Sequence, residues 1–380
     1  MKDLSIYFTQ SEPVRFQSNQ IGSYLSKIES DFSEIEKGSI VLFSVPEFRG
    51  SKKTSPDDSL RGIIDAFLKL ETGINWHRKI YDLGEIRPGS TLQDTYFALT
   101  NVVEELIKHQ VIPVVIGGSQ DLFVAVHNGY KYSEQLINTC LIDYKFDLGE
   151  PAEEFDNESF VGHLLIQRPC ILFNHAVIGL QAPYTSKTET DLCEKLHFDN
   201  IRLGDLVTDI RKAEPILRFS DVVSIDVRSI KGSETQLIDS LPNGFNGQQI
   251  CQLAWYAGIS DKLTSFGLYN IFELNKISMK LYAEVIWYFI EGIANRKGDF
   301  PVGTKRDYTK FTVLQDNGQR EVVFYKSNKS DRWWLEVPYP PTPNSIYERH
   351  TLIPCGKEDY DLAANNILPD LWWRTYHKLF

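Results

Sequence analysis

The chain has 380 residues, 42% of them hydrophobic and 24% charged, enough for one large or two ordinary domains of a soluble globular protein. A formal net charge of -11 without any basic stripe excludes a general nucleic-acid binder, which needs clustered Lys and Arg against phosphates. The start, Met1 to Ser5, lacks a long apolar region, and no stretch approaches the roughly 18 apolar residues of a membrane span. A cytoplasmic protein with no membrane span is therefore expected.

In chain order, residues 1 to about 38 read as a strand and an amphipathic helix, the helix from the spacing of Ile21, Leu25 and Ile28. Ser39 to Pro46 is an apolar strand, and Leu60, Ile63, Ile64, Phe67 and Leu68 mark a helix. A short strand at Lys79 to Asp82 and a helix from about Gln93 to His109 follow. The next strand, Val111 to Ile116, runs into Gly117-Gly118-Ser119-Gln120-Asp121. Further strands are expected at 138–143, 170–180, 222–227 and 264–271, with helices at 120–129, 186–196, 205–218, 247–257 and 277–296. Repeated apolar strand, loop and helix predicts a parallel sheet covered on both faces. Ligands of such sheets sit at the carboxyl ends of the strands.

One strand end stands out. In Leu141 to Glu150 an apolar run gives way to Asp143, Lys145 and Asp147, which would converge on one side if the extended backbone continued. Buried charges of this kind cost several kcal/mol each unless paired or bound to a metal. Polar groups also close the runs at Ser224-Ile225-Asp226-Val227-Arg228 and Phe272-Glu273-Leu274-Asn275. Beyond about Asn295 the chain changes to Pro-rich turns at 338–343, β-like runs such as Glu321 to Tyr325, and an aromatic helix from Leu371 to Phe380. This segment carries Trp333, Trp334, Trp372 and Trp373, so it should pack on the main body or on a partner. The five cysteines are far apart and odd in number, and read as buried free thiols.

These strand ends resemble those of the ureohydrolases, the family of arginase, agmatinase and formimidoylglutamase. Residues 117–121, 143–147 and 224–228 stand in the order of that family's Gly-Gly-Asp-His-Ser, Asp-Ala-His-x-Asp and Ser-x-Asp-Val-Asp motifs. Val45-Pro46, Asp82-Leu83-Gly84 and the Glu-x-Asn run at 273–275 add to the likeness, which covers about residues 36 to 298. The resemblance implies a three-layer α/β/α parallel sheet over residues 1–299, with a C-terminal extension at 300–380. It also implies two manganese ions, held by two histidines and four aspartates, that activate a water against a guanidino or formimino carbon. Asp143, Asp147 and Asp226 match ligand positions. Gln120 and Lys145 stand where the family has histidine, and Arg228 where it has aspartate. Neither an ammonium nor a guanidinium can ligate a metal.

Two readings stay open. In the first, the chain is a non-catalytic pseudoenzyme without cofactor. Lys145 and Arg228 replace a metal, and the protein acts by binding a ligand or, through residues 300–380, a protein partner. In the second it is a hydrolase of linear C–N bonds other than peptide bonds. One manganese or magnesium ion would then sit on Asp143, Asp147 and Asp226 with the Gln120 carbonyl, and Glu273 would join the three aspartates in catalysis. Glu273 is expected to pair with Arg228 rather than with a cationic substrate. His127, His163 and His175 are expected to be structural, and Gly117-Gly118 to serve close backbone packing rather than phosphate binding. Most of the C-terminal tryptophans are expected in a core. The resemblance leaves room for a homo-oligomer.

Overall fold

Runs of Ile, Val and Leu buried on both faces form the centre of the molecule, because a strand covered on both sides must be apolar throughout. The computed structural model describes residues 3–9, 15–26, 32–133, 135–149, 155–301, 304–339 and 350–379. Nine strands make the main sheet: β1 Phe8–Thr9, β2 Ile40–Val45, β3 Ile80–Ile86, β4 Ile112–Gly117, β5 Ile137–Ile142, β6 Leu172–Leu180, β7 Asp199–Arg202, β8 Val222–Asp226 and β9 Ser265–Tyr269. Their order is β1-β3-β2-β4-β9-β8-β5-β6-β7, parallel except for β1 against β3.

The helices are α1 Arg61–Leu68, α2 Leu92–Lys108, α3 Leu122–Asn128, α4 Phe160–Ile166, α5 Lys187–Lys195, α6 Leu203–Thr208, α7 Glu214–Phe219, α8 Gly232–Thr235, α9 Gly247–Gly258 and α10 Lys276–Ala294. They cover both faces. One core packs Ile63, Phe67, Phe266, Ile286 and Phe289, and the other Leu99, Val102, Phe123, Leu141 and Val177. Local sequence sets the helix starts. Thr91 and Asp94 form a capping box on α2, and Asn275 caps α10 by accepting from the amides of Ile277 and Ser278 at 2.8 and 2.9 Å.

The α/β layering matches the expectation, with several differences. Residues 21–23 form a single 3-10 turn, and 24–26 are not helical, so the amphipathic helix is not found among the described residues; Ile28 lies outside them. The helix expected at 205–218 is broken. At Asp209 the backbone is extended and its side chain accepts from the Arg211 amide, and Pro215 restarts a helix in α7. Helix α4 and strand β7 went unread, α4 because it is only two turns long.

Residues 300–380 form a second, antiparallel sheet of β10 Tyr308–Gln315, β11 Arg320–Ser327, β12 Trp333–Pro338 and β13 His350–Cys355, followed by α11 Lys357–Ala364 and α12 Asp370–Lys378. The Pro-rich turn from 340 onward and Phe380 fall outside the described residues. Val322, Phe324, Leu335, Val337 and Ile353 make its core. The buried Arg218 of α7 ties this sheet to the main one. Its guanidinium donates to the carbonyls of Trp333 (3.1 Å) and Cys355 (3.2 Å) and lies 4.4 Å from the Trp334 ring. Trp334 is fully buried, whereas Trp373 is exposed. All five cysteines are free, and Cys170, contrary to expectation, is exposed at a turn before β6.

Candidate functional site

Four adjacent central strands, β4, β9, β8 and β5, deliver the polar strand ends to one place. Ile116, Leu268, Ile225 and Ile142 lie in register across them, so the residues that follow emerge side by side. The turn after β4 needs Gly118, since a Cβ there would stand 2.0 Å from the Glu47 carbonyl oxygen. That close approach agrees with backbone packing as the use of the Gly-Gly pair.

The extended backbone does not continue past Ile142. Asp147 takes a left-handed conformation (φ 53°), which a short polar side chain tolerates. The chain turns, yet the carboxylates still meet: oxygen atoms of Asp143, Asp147 and Asp226 lie within 4.8 Å of one another, all buried. Asp143 accepts from the amides of Tyr144 (2.6 Å) and Lys145 (3.3 Å) and from Gln120 Nε2 (3.1 Å). Asn270, just after β9, donates to Gln120 Oε1 (2.8 Å) and Asp226 Oδ2 (2.9 Å). This network fixes the Gln120 amide with its nitrogen toward Asp143.

Two cations complete the cluster. Arg228 clasps Asp226 through Nε (2.9 Å) and Nη2 (2.7 Å). Lys145 Nζ stands 3.2 Å from Asp147 Oδ1, an ion-pair distance, although neither buried Asp147 oxygen receives a well-directed hydrogen bond. Both cations then share one more carboxylate, Glu158, whose Oε1 is 3.0 Å from Lys145 Nζ and 3.2 Å from Arg228 Nη1. The Tyr144 ring flanks both, at 5.6 Å from Lys145 and 5.4 Å from Arg228.

Burial, with Asp147 and Asp226 nearby, pushes the Asp143 carboxyl well up. Burial also raises Asp147, to about 7, against the pull of Lys145 and Arg228. Burial opposes the charge of Arg228, but Asp226 more than restores it. The three aspartates alone exceed the two cations by one negative charge, and Glu158 brings the excess to two, so a proton held on the buried aspartates lowers it. Lys145 and Arg228 beside the carboxylates cannot ligate a metal, and their positive charge opposes a second ion there. A single hard cation fits the donor set of three carboxylates better, since one oxygen of each lies within 4.8 Å of the others and the Asp147 oxygens accept no hydrogen bond.

Glu273 does not pair with Arg228, whose guanidinium is taken by Asp226 and Glu158; it accepts instead from the Ile238 amide at 2.9 Å. It lines a cleft with Lys53, Arg228, Thr235, Asn270 and Phe272, of about 30 Å³, room for roughly two waters. Lys53 closes the rim, 3.1 Å from Asp239 and 5.6 Å from the Phe272 ring.

His163 is half-buried and stacks on Phe155 at 4.1 Å, and His127 and His175 are buried. Among the described residues both ring nitrogens of His127 lack a hydrogen-bond partner, and His175 hydrogen-bonds Thr139 through Nδ1 at 2.8 Å while Nε2 has none. Burial pushes His127 down to about 4 and His175 down to about 3, so both are neutral when folded. Such a group stabilises fully above the unfolded pKa, and the contribution fades as pH falls from 6.5 toward about 4. The raised Asp143 and Asp147 act in the opposite sense, losing stability as pH rises through their folded values. A difference measurement separates the two: His127→Leu should gain about 1.4 kcal/mol on wild type per pH unit through that window, read from urea unfolding. A constant difference would contradict a buried neutral imidazole.

Glu158 and Asn270 were not foreseen. Asn270 sat inside an apolar run, where a lone amide before Phe272-Glu273 was the available signal. Glu158 lies in a polar loop that offers none.

Solved structures of ureohydrolases share this mostly parallel sheet flanked by helices. A formiminoglutamase from Trypanosoma cruzi, solved with manganese, is similar over 73% of this chain and 99% of its own, at 17% identity and a TM-score of 0.62. Formimidoylglutamase from Bacillus subtilis covers 76% of this chain and 97% of its own, at 14% identity and a TM-score of 0.65. The agmatine ureohydrolase of Thermoplasma volcanium covers 73% and 94%, at 16% identity and a TM-score of 0.58. No protein-family model matches the sequence, and neither does any curated protein. At such identities the shared property is the fold.

Proposed function

We propose that this chain is a non-catalytic protein on a ureohydrolase fold, a cytoplasmic pseudoenzyme that works by binding and holds no metal. The observation that carries this reading is the paired clasp of Arg228 on Asp226 and Lys145 beside Asp147, joined through Glu158. Two side-chain cations neutralise acids that a two-metal site would need for its ions. Removing either cation strands a buried carboxylate, so the aspartates persist without any catalytic duty. Residues 300–380, with exposed Trp373, are the proposed surface for a protein partner, and a homo-oligomer is compatible with this reading.

The second reading, a hydrolase of linear C–N bonds with one manganese or magnesium ion, is favoured by the undonated oxygens of Asp147. Asp143, Asp147 and Asp226 would hold the ion, which would lower the pKa of a bound water, and Gln120 would join them only by turning its carbonyl away from Asn270. Glu273 would orient a guanidino or formimino group. An assay of the purified protein with arginine, agmatine and formiminoglutamate, with manganese or magnesium added, separates the two. No turnover above buffer is expected; metal-dependent release of urea or formamide would overturn the first reading.

A further inference from the structure

Lys145 and Arg228 converge on a single point outside the aspartate cluster, and what fills it is the Oε1 atom of Glu158, 3.0 Å from one and 3.2 Å from the other. We infer that this point is a carboxylate-binding site which the protein occupies with its own side chain, and that a small monocarboxylate ligand takes the place of Glu158 there. The inference rests on the metal-free reading, since an ion on Asp143, Asp147 and Asp226 would compete for the carboxylates that hold Lys145 and Arg228 in place.

The two cations are prepared for an anion. Their side chains are mostly buried and anchored from behind, Lys145 by Asp147 at 3.2 Å and Arg228 by Asp226 at 2.7 Å, so little side-chain entropy is lost on binding. Glu158 is the movable member. Its side chain is 53% exposed, while its backbone amide is held separately by Asp156 Oδ1 at 2.9 Å, so withdrawing the carboxylate does not unseat the loop. Tyr144 covers both cations and packs edge-on against Tyr184 at 5.2 Å, giving an apolar wall for the body of the ligand.

Charge selects the class of anion. Exchanging one carboxylate for another leaves the local sum unchanged, whereas a phosphate dianion adds negative charge beside three aspartates. The internal carboxylate is also a competitor, and lowers the apparent affinity of any ligand by the fraction of time it stands aside.

The test is titration of sodium acetate and of inorganic phosphate against wild type, Glu158→Ala and Glu158→Gln, by calorimetry at ionic strength held constant with sodium chloride. Metal content is measured on the same samples. Acetate is expected to bind Glu158→Ala at least about tenfold more tightly than wild type, as removal of an internal competitor requires. Phosphate should gain less, and Lys145→Met added to Glu158→Ala should abolish the acetate gain. If Glu158→Ala fails to fold, Glu158→Gln, which keeps the shape and loses the charge, carries the same comparison. Equal acetate affinity in variant and wild type, or a gain larger for phosphate, would overturn the inference and leave the metal-free reading standing. Stoichiometric metal in the samples would overturn both.

Discussion

Arg228→Ala should lower the folding stability by about 3–5 kcal/mol, the range for removing one partner of a buried ion pair. Asp226 is fully buried and accepts from Arg228 Nε at both carboxylate oxygens (3.2 and 2.9 Å) and from Nη2 at 2.7 Å. Without them it keeps Asn270 Nδ2 and the backbone amide of residue 228, which leaves a carboxylate with little countercharge near Asp143 and Asp147. Arg228→Lys keeps the charge but not the planar fork, and should lose less. Urea unfolding of the three proteins measures this. A loss under about 1 kcal/mol for the alanine variant, the range of a surface pair, would mean that the clasp does not hold the site.

Gln120→His, Lys145→His and Arg228→Asp, combined, should have the opposite dependence on metal. The first two supply imidazole ligands and the third a carboxylate, while both cations that fill the second position disappear. Without metal, four carboxylates then face one another, and the variant should be less stable than wild type by several kcal/mol, as for uncompensated buried charges. With manganese at about 100 times its dissociation constant, roughly 2.7 kcal/mol should return, because binding to the folded state alone adds to folding free energy. Melting curves with and without manganese give the answer. A folded variant indifferent to manganese would show that these residues do not surround the positions assigned to them.

The sheet and its strand ends could be read from the sequence because β2, β4 and β5 are buried at every position, and an unbroken apolar run bounded by turns has few other uses. The positions of Asp143 and Asp147 followed from the end of β5, and that of Asp226 from the end of the equally buried β8. Their convergence came about differently from the expected alternation: the left-handed turn at Asp147, and not a continued strand, brings it back, and no local pattern encodes that conformation for an aspartate. The C-terminal sheet was harder to read. Strand β10 buries only Gln315 and leaves Thr309, Lys310, Thr312 and Leu314 exposed, so its apolar signal is diluted. Glu158 closes the cluster from a loop remote in sequence from Arg228. A contact between residues 70 positions apart leaves no periodic trace.

The measurement that bears most directly on the site is the metal content of the purified wild-type protein, followed by manganese and magnesium titrations of its melting temperature. With Lys145 and Arg228 neutralising the aspartates, no stoichiometric metal and no rise in melting temperature are expected. One ion per chain, with a rise corresponding to roughly 2.7 kcal/mol at 100 times the dissociation constant, would contradict the metal-free cluster.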